Sequence, residues 1–159
     1  MAIRVNTAGM KLLYAVEASA GTMPTAMSAY TMVPEITGTP DLFVAPNTED
    51  VTPIDETEMV QYLDLLKDFG GTLDFPCNWC DALDTAWNTT LIGAYNTGKA
   101  SSKDTWFCVY HPKLTNAVYF RGKPIKSGMN EISANTALKG TCRIVPEGGW
   151  TFAAKPSTS

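Results

Sequence analysis

Proline and glycine punctuate this chain too often for long helices. Ten prolines and twelve glycines are spread along its 159 residues. Proline has no N–H to give a helix ladder, and glycine adds backbone entropy that a helix interior must lose. The pattern therefore excludes a helical bundle and leaves many short elements joined by turns. Apolar residues make up 45% of the chain and charged residues 18%. That is too apolar for a disordered chain and suits one domain with its own core.

Strand signals fill the stretches between the turns. In 11–17, Leu12, Tyr14 and Val16 share one face. Residues 28–37 read as extended, with Pro34 implying an edge or a bulge. Residues 72–75 form a strand closed by Pro76, and 105–110 are apolar on both faces. Further strands are predicted at 117–123 before Pro124, 129–134, 138–145 before Pro146, and 150–152 after Gly148-Gly149. The segment 58–67 fits either a helix or an extended chain.

One helix is predicted over about 79–94. Asn78 suits its cap, and Asp81 and Asp84 suit the positive end of its dipole. Leu83, Trp87, Leu91 and Ala94 give it an apolar stripe. Half of the prolines fall between 24 and 53, so 38–59 is predicted to be a long loop without regular ladders. The expected organisation is an arm at 1–10, a single domain at 11–154 and a polar tail at 155–159. The fold class is mainly β: an antiparallel β-sandwich or barrel with one flanking α-helix and a long inter-strand loop.

Net charge is −4, and its distribution is uneven. Residues 1–34 carry two basic and one acidic side chain, 35–84 carry one basic and twelve acidic, and 85–159 carry nine basic and three acidic. A protein that grips DNA by its phosphates needs a basic surface, which the overall balance does not offer. An acidic half and a basic half make two copies complementary, one face to another. The loop mixes the apolar Leu42, Phe43 and Val44 with Asp41, Glu49, Asp50, Asp55 and Glu56, as a docking surface would. Lys113, Arg121, Lys123 and Lys126 provide a complementary basic face. No stretch approaches the ~20 apolar residues of a membrane-spanning helix. The run from Met10 to Gly21 imitates a signal peptide, but Glu17 interrupts it and it lies inside the chain.

Four cysteines invite a chemical reading. Cys77 and Cys80 form a C-x-x-C, and Cys108 and His111 follow later in the chain. Together they match a zinc donor set, although Cys108 and His111 sit at an odd offset on a strand and point to opposite faces. A C-x-x-C opening a helix also resembles a redox site, because a helix N-terminus lowers a thiol pKa. Thioredoxin-like folds need alternating strands and helices, and one helix is visible here. The remaining reading is four small buried hydrophobes. With one histidine, no G-x-S-x-G, no P-loop and no dinucleotide fingerprint, no enzyme activity and no cofactor are expected.

Several pieces, taken in order, resemble the tail tube proteins (major tail proteins) of bacteriophages with long, flexible tails. They are TMVPEITGTP at 31–40, PIDETEM at 53–59, YLDLLKDFGGTLDF at 62–75, WFCVYHP at 106–112, AVYFRGKP at 117–124 and GMNEISAN at 128–135. The resemblance covers roughly 30–150 and lies in the order and spacing of the pieces; the C-x-x-C has no counterpart in it. It implies a structural virion protein of the tail, assembled in the host bacterial cytoplasm. Homohexameric rings would stack into a tube whose inner sheets join edge to edge, and the loop at 38–59 would reach the next ring. DNA would pass through the lumen without specific binding. The implied partners are further copies of the chain, a tape-measure protein, a tail terminator and baseplate or distal tail proteins, with no membrane. A small redox or zinc-binding protein and a virion-surface binding module stay open as alternatives.

Overall fold

The computed structural model describes residues 4, 9–43, 45, 48–64, 71–130 and 132–157. Its described strands are β1 (Lys11–Val16), β2 (Thr31–Met32), β3 (Thr48–Asp50), β4 (Tyr62–Asp64), β5 (Leu73–Asn78), β6 (Thr105–Tyr110), β7 (Asn116–Met129) and β8 (Lys139–Ala154). Six of them form one antiparallel sheet in the order β2-β1-β6-β7-β8-β5, while β3 and β4 pair only with each other. The mainly-β antiparallel class expected from the sequence is the one adopted. Its form is a single curled sheet with a helix against one face.

Strand β6 explains the arrangement. All six of its residues are buried, so it lies inside the sheet with an apolar layer on each face. Phe107 and Val109 enter one layer with Leu12, Phe75, Phe120, Cys142 and Ile144. Trp106, Cys108 and Tyr110 enter the other with Leu13, Ala15 and Tyr119. The strand period of two thus divides neighbouring residues of β1 and β6 between two cores. Tyr30, Met23 and Met27 cover the second core.

The first core is covered by helix α1, residues 81–100. It begins as Asp81–Asp84, continues as a π-helical Thr85–Leu91 and ends as Ile92–Ala100. Leu83, Trp87, Leu91 and Tyr95 are buried. Four-residue steps drift around an α-helix by about 40° each. The wider π turns oppose that drift and keep these side chains on the sheet. The expected stripe ended on Ala94; Tyr95 takes that place because of the π segment.

Other boundaries also differ from expectation. Cys80, not Asn78, is the N-cap residue. Asn78 is still strand, and its N–H donates to the Glu35 carbonyl at 2.9 Å. Pro76, Pro124 and Pro146 do not end strands; they lie within β5, β7 and β8. Strand β5 is at the sheet border, Pro146 adjoins a register shift between β7 and β8, and Pro124 lies where β7 no longer pairs with β6. Those irregularities bend the sheet. Gly122 permits the bend, since a Cβ there would collide with Ile144 Cγ2. The strands expected at 117–123 and 129–134, and at 138–145 and 150–152, belong instead to the long β7 and β8, with 130 and 132–134 in the connection between them. The tail at 155–157 is docked: Ser157 bridges to Ala26 and Pro156 is buried.

Candidate functional site

The segment expected to be an unladdered loop contains a ladder. Thr48, Glu49 and Asp50 of β3 pair with Asp64, Leu63 and Tyr62 of β4. The resulting two-stranded ribbon spans 48–64, which carries six acidic residues and no basic one. Its tip holds itself together. Thr52 Oγ1 donates to Asp50 Oδ1 at 2.6 Å and accepts the Gln61 N–H at 2.7 Å. Glu56 Oε1 accepts the N–H groups of Thr57 and Glu58, each at 2.9 Å. These bonds favour the charged carboxylates: the Thr52 hydroxyl lowers the pKa of Asp50, and the Glu58 N–H lowers that of Glu56. Asp55 and Glu49 are exposed on the same ribbon. So are Val51, Met59, Val60, Tyr62 and Leu63, and Ile54 is fully exposed. An acidic hairpin that presents apolar side chains is not built for its own core.

Asp41, Leu42 and Phe43 form part of a strap ahead of the ribbon. Leu42 is buried in the first core. Phe43 is exposed and meets Phe152 edge to face, with ring centroids 5.9 Å apart. Asp41 Oδ1 accepts the Phe43 N–H at 2.9 Å. Val44 lies outside the described residues. Beneath the strap is a cavity of about 310 Å³, lined mainly by apolar side chains that include Met10, Phe43, Val118, Leu114 and Phe152. Sequence reasoning missed it because Met10, Leu114 and Phe152 are far apart along the chain.

The four basic residues have different surroundings. Lys113 stands in the turn after β6, beside the cavity, and is exposed. Lys123 and Lys126 are exposed on β7. Arg121 is engaged within the domain: its Nη1 lies 3.3 Å from Asp104 Oδ2, and its guanidinium lies 5.8 Å from the centre of the Trp106 ring. Lys99 Nζ reaches Asp104 Oδ1 at 2.6 Å and Glu147 Oε2 at 3.1 Å, and Tyr95 OH donates to Glu147 Oε1 at 2.8 Å. Asp104 is held below its ordinary pKa, first by the bond from Lys99. Burial, then Glu147, pushes Tyr95 up to about 12. This cluster ties the end of α1 to the starts of β6 and the late turn of β8.

The cysteines are packed in the interior. Cys77, Cys108 and Cys142 are fully buried, and Cys77 Sγ lies 3.7 Å from Cys142 Sγ across the β5–β8 pair. Cys80 is half-buried. Burial pushes the Cys77 and Cys142 thiols up and Cys108 to about 12, which disfavours the nucleophilic thiolate. Cys108 faces the second core, and His111 Nδ1 accepts the Lys113 N–H at 3.0 Å. Among the described residues, no three His, Cys, Asp or Glu side chains are grouped to hold a metal. No described helix is long and apolar enough to cross a membrane.

A fold in which one curled antiparallel sheet carries α1 on one face has a counterpart among solved structures. A chain of the anti-feeding prophage (AFP) baseplate, determined by cryo-electron microscopy with six-fold symmetrisation, matches with a TM-score of 0.58 and 10% sequence identity. The match covers 97% of this chain and 98% of that one, so the two share the fold from end to end. No protein-family model and no curated protein matches the sequence.

Proposed function

We propose that this chain is a structural subunit of a phage-type tail, and specifically a tail tube protein without catalytic activity. The observation that carries the reading is the full-length fold likeness to a chain of a six-fold phage-tail-like baseplate. The projecting ribbon supports it, since apolar side chains on an acidic hairpin need a partner to leave water. Six copies form a ring and rings stack. The border of β2 and the half of β8 beyond Ile144, which pairs only with β7, are the places where neighbours add strands. Head-to-tail contacts of this kind extend without closing, as a tube requires. The tube belongs to the virion, is assembled in the bacterial cytoplasm around a tape-measure protein, and ends on terminator and baseplate proteins. DNA moves through the bore without specific binding.

Electron microscopy of the purified protein at high concentration, with and without the other tail components, tests the reading. Six-fold rings and hollow tubes are the expected result. Dispersed monomers under both conditions overturn it.

A further inference from the structure

We propose that the apolar cavity beneath the 39–43 strap is the receptor for the ribbon tip of a second copy, with Ile54 as the inserted side chain. The inference rests on the tail-tube reading and adds to it the site that receives the ribbon. Three observations carry it.

The first is chemical fit. The cavity of about 310 Å³ is lined by Phe43, Leu114, Val118 and Phe152 among others. That exceeds the ~150 Å³ needed to hold a benzene-sized group. Ile54 has no cover in its own chain, and Val51, Met59 and Val60 flank it with further exposed apolar surface.

The second is charge. Asp50, Asp55, Glu56 and Glu58 surround the tip. Lys113 stands between His111 and Leu114 of the cavity, Lys11 follows its Met10, and Lys155 reaches the Pro112 carbonyl at 2.6 Å. Asp41 is the acid on this rim. Lys113 and Lys11, next in the chain to lining residues, favour a tip that is wholly acidic, with Asp41 of the lining opposing them. Another exposed apolar group, Met129, Ile132 and Leu138 at the β7–β8 connection, stands beside Lys126 and Lys139, so as an inserted tip it would bring like charge to Lys113.

The third is position. Phe43 lines the cavity, and the same chain begins its ribbon at Thr48. The receptor therefore lies at the root of each ribbon. A tip-to-root contact joins unlike surfaces and leaves a free tip and a free root at the two ends, so it repeats without limit.

The test is an engineered cysteine pair. Ile54→Cys and Leu114→Cys are placed together in a Cys80→Ser chain, and mild oxidation is followed by non-reducing electrophoresis. A ladder of disulfide-linked oligomers, absent from each single variant, is expected. A bond closed within one chain means that the ribbon seats on its own domain, and overturns the proposal. Absence of any bond also overturns it. If tubes form without the ladder, the cavity assignment fails and the tube reading stands. A ladder without rings or tubes leaves the contact standing and removes the tube reading. As a second variant, Ile54→Glu changes a side chain that packs on nothing within its chain. It is expected to leave the unfolding midpoint unchanged and to lower the sedimenting fraction by about tenfold or more. An unchanged sedimenting fraction overturns the proposal.

Discussion

Strand β6 and the 48–64 ribbon are built to opposite specifications. Every side chain of β6 is buried, on both faces, between β1 and β7. The ribbon pairs only within itself and shows water both its acids and its apolar side chains. A folded domain gains stability by removing apolar area from water. The ribbon forgoes that gain within one chain, and under the proposed function its apolar residues would be buried only in an assembly. The difference separates the residues that make the fold from those that would join copies. It also says where a substitution will be felt.

The largest effect is expected on the core side. Trp87→Ala would empty the layer between α1 and β6 and remove the bond from Trp87 Nε1 to the Ile125 carbonyl. A loss of about 3–5 kcal/mol, read from urea unfolding, is expected. A loss below about 1 kcal/mol would mean that the helix is not part of the cooperative core. Gly122→Ala comes next. Its methyl would collide with Ile144 Cγ2, and overpacking of this kind costs about 1–3 kcal/mol. A neutral result would show that the β7–β8 bend can relax.

Acid and base should distinguish the two regions further. Burial raises the thiols of Cys77, Cys108 and Cys142 in the folded core. Their contribution is complete below the unfolded thiol pKa of about 8.5 and is lost as pH rises toward the folded values, because the unfolded chain releases its protons first. Asp50 and Glu56 on the ribbon are lowered instead. Their contribution is present above about pH 4 and is lost as pH falls through their folded values. Unfolding midpoints should therefore drop on the alkaline side. The protection of the Gln61 amide against hydrogen exchange, relative to its intrinsic rate at each pH, should fall on the acid side before that of the core. The smallest effect is expected from Thr52→Ala. It removes the hydroxyl between Asp50 and Gln61, speeds exchange at Gln61 and shifts global stability by no more than about 0.5 kcal/mol. A larger shift would join the ribbon to the core and erase the contrast.

The sequence carried the core more clearly than the contacts between distant parts. The apolar residues on both faces of 105–110 are all buried in β6, and the stripe of Leu83, Trp87 and Leu91 is the face that α1 packs on the core. The prolines mislead when each is considered with a single strand. Pro124 and Pro146 end a short strand in isolation, yet Pro146 borders a register shift of a long paired strand, and Pro124 lies beyond Arg121, where β7 has no β6 residue opposite. The ribbon left little trace, since three-residue strands of mixed polarity have no readable period. The cavity left none, because it is assembled from 10, 39–43, the end of β6, the turn after it, the start of β7 and residue 152. Sulfur met sulfur between Cys77 and Cys142, not within the C-x-x-C, through a β5–β8 pairing that no local pattern encodes. The acidic surplus of 35–84 did mark the ribbon as a region apart.

The π segment of α1 has a consequence for growth as well as for packing. Beyond Arg121, β7 has β8 on one side and no strand of β6 on the other. Trp87 and Asn88 fill the vacancy: Trp87 donates to the Ile125 carbonyl, while Asn88 donates to the Ser127 carbonyl and accepts its N–H. Two side chains thus imitate the rungs of an absent strand. They stopper that flank against strand addition, so in the proposed tube further copies would join through the flanks that remain unstoppered.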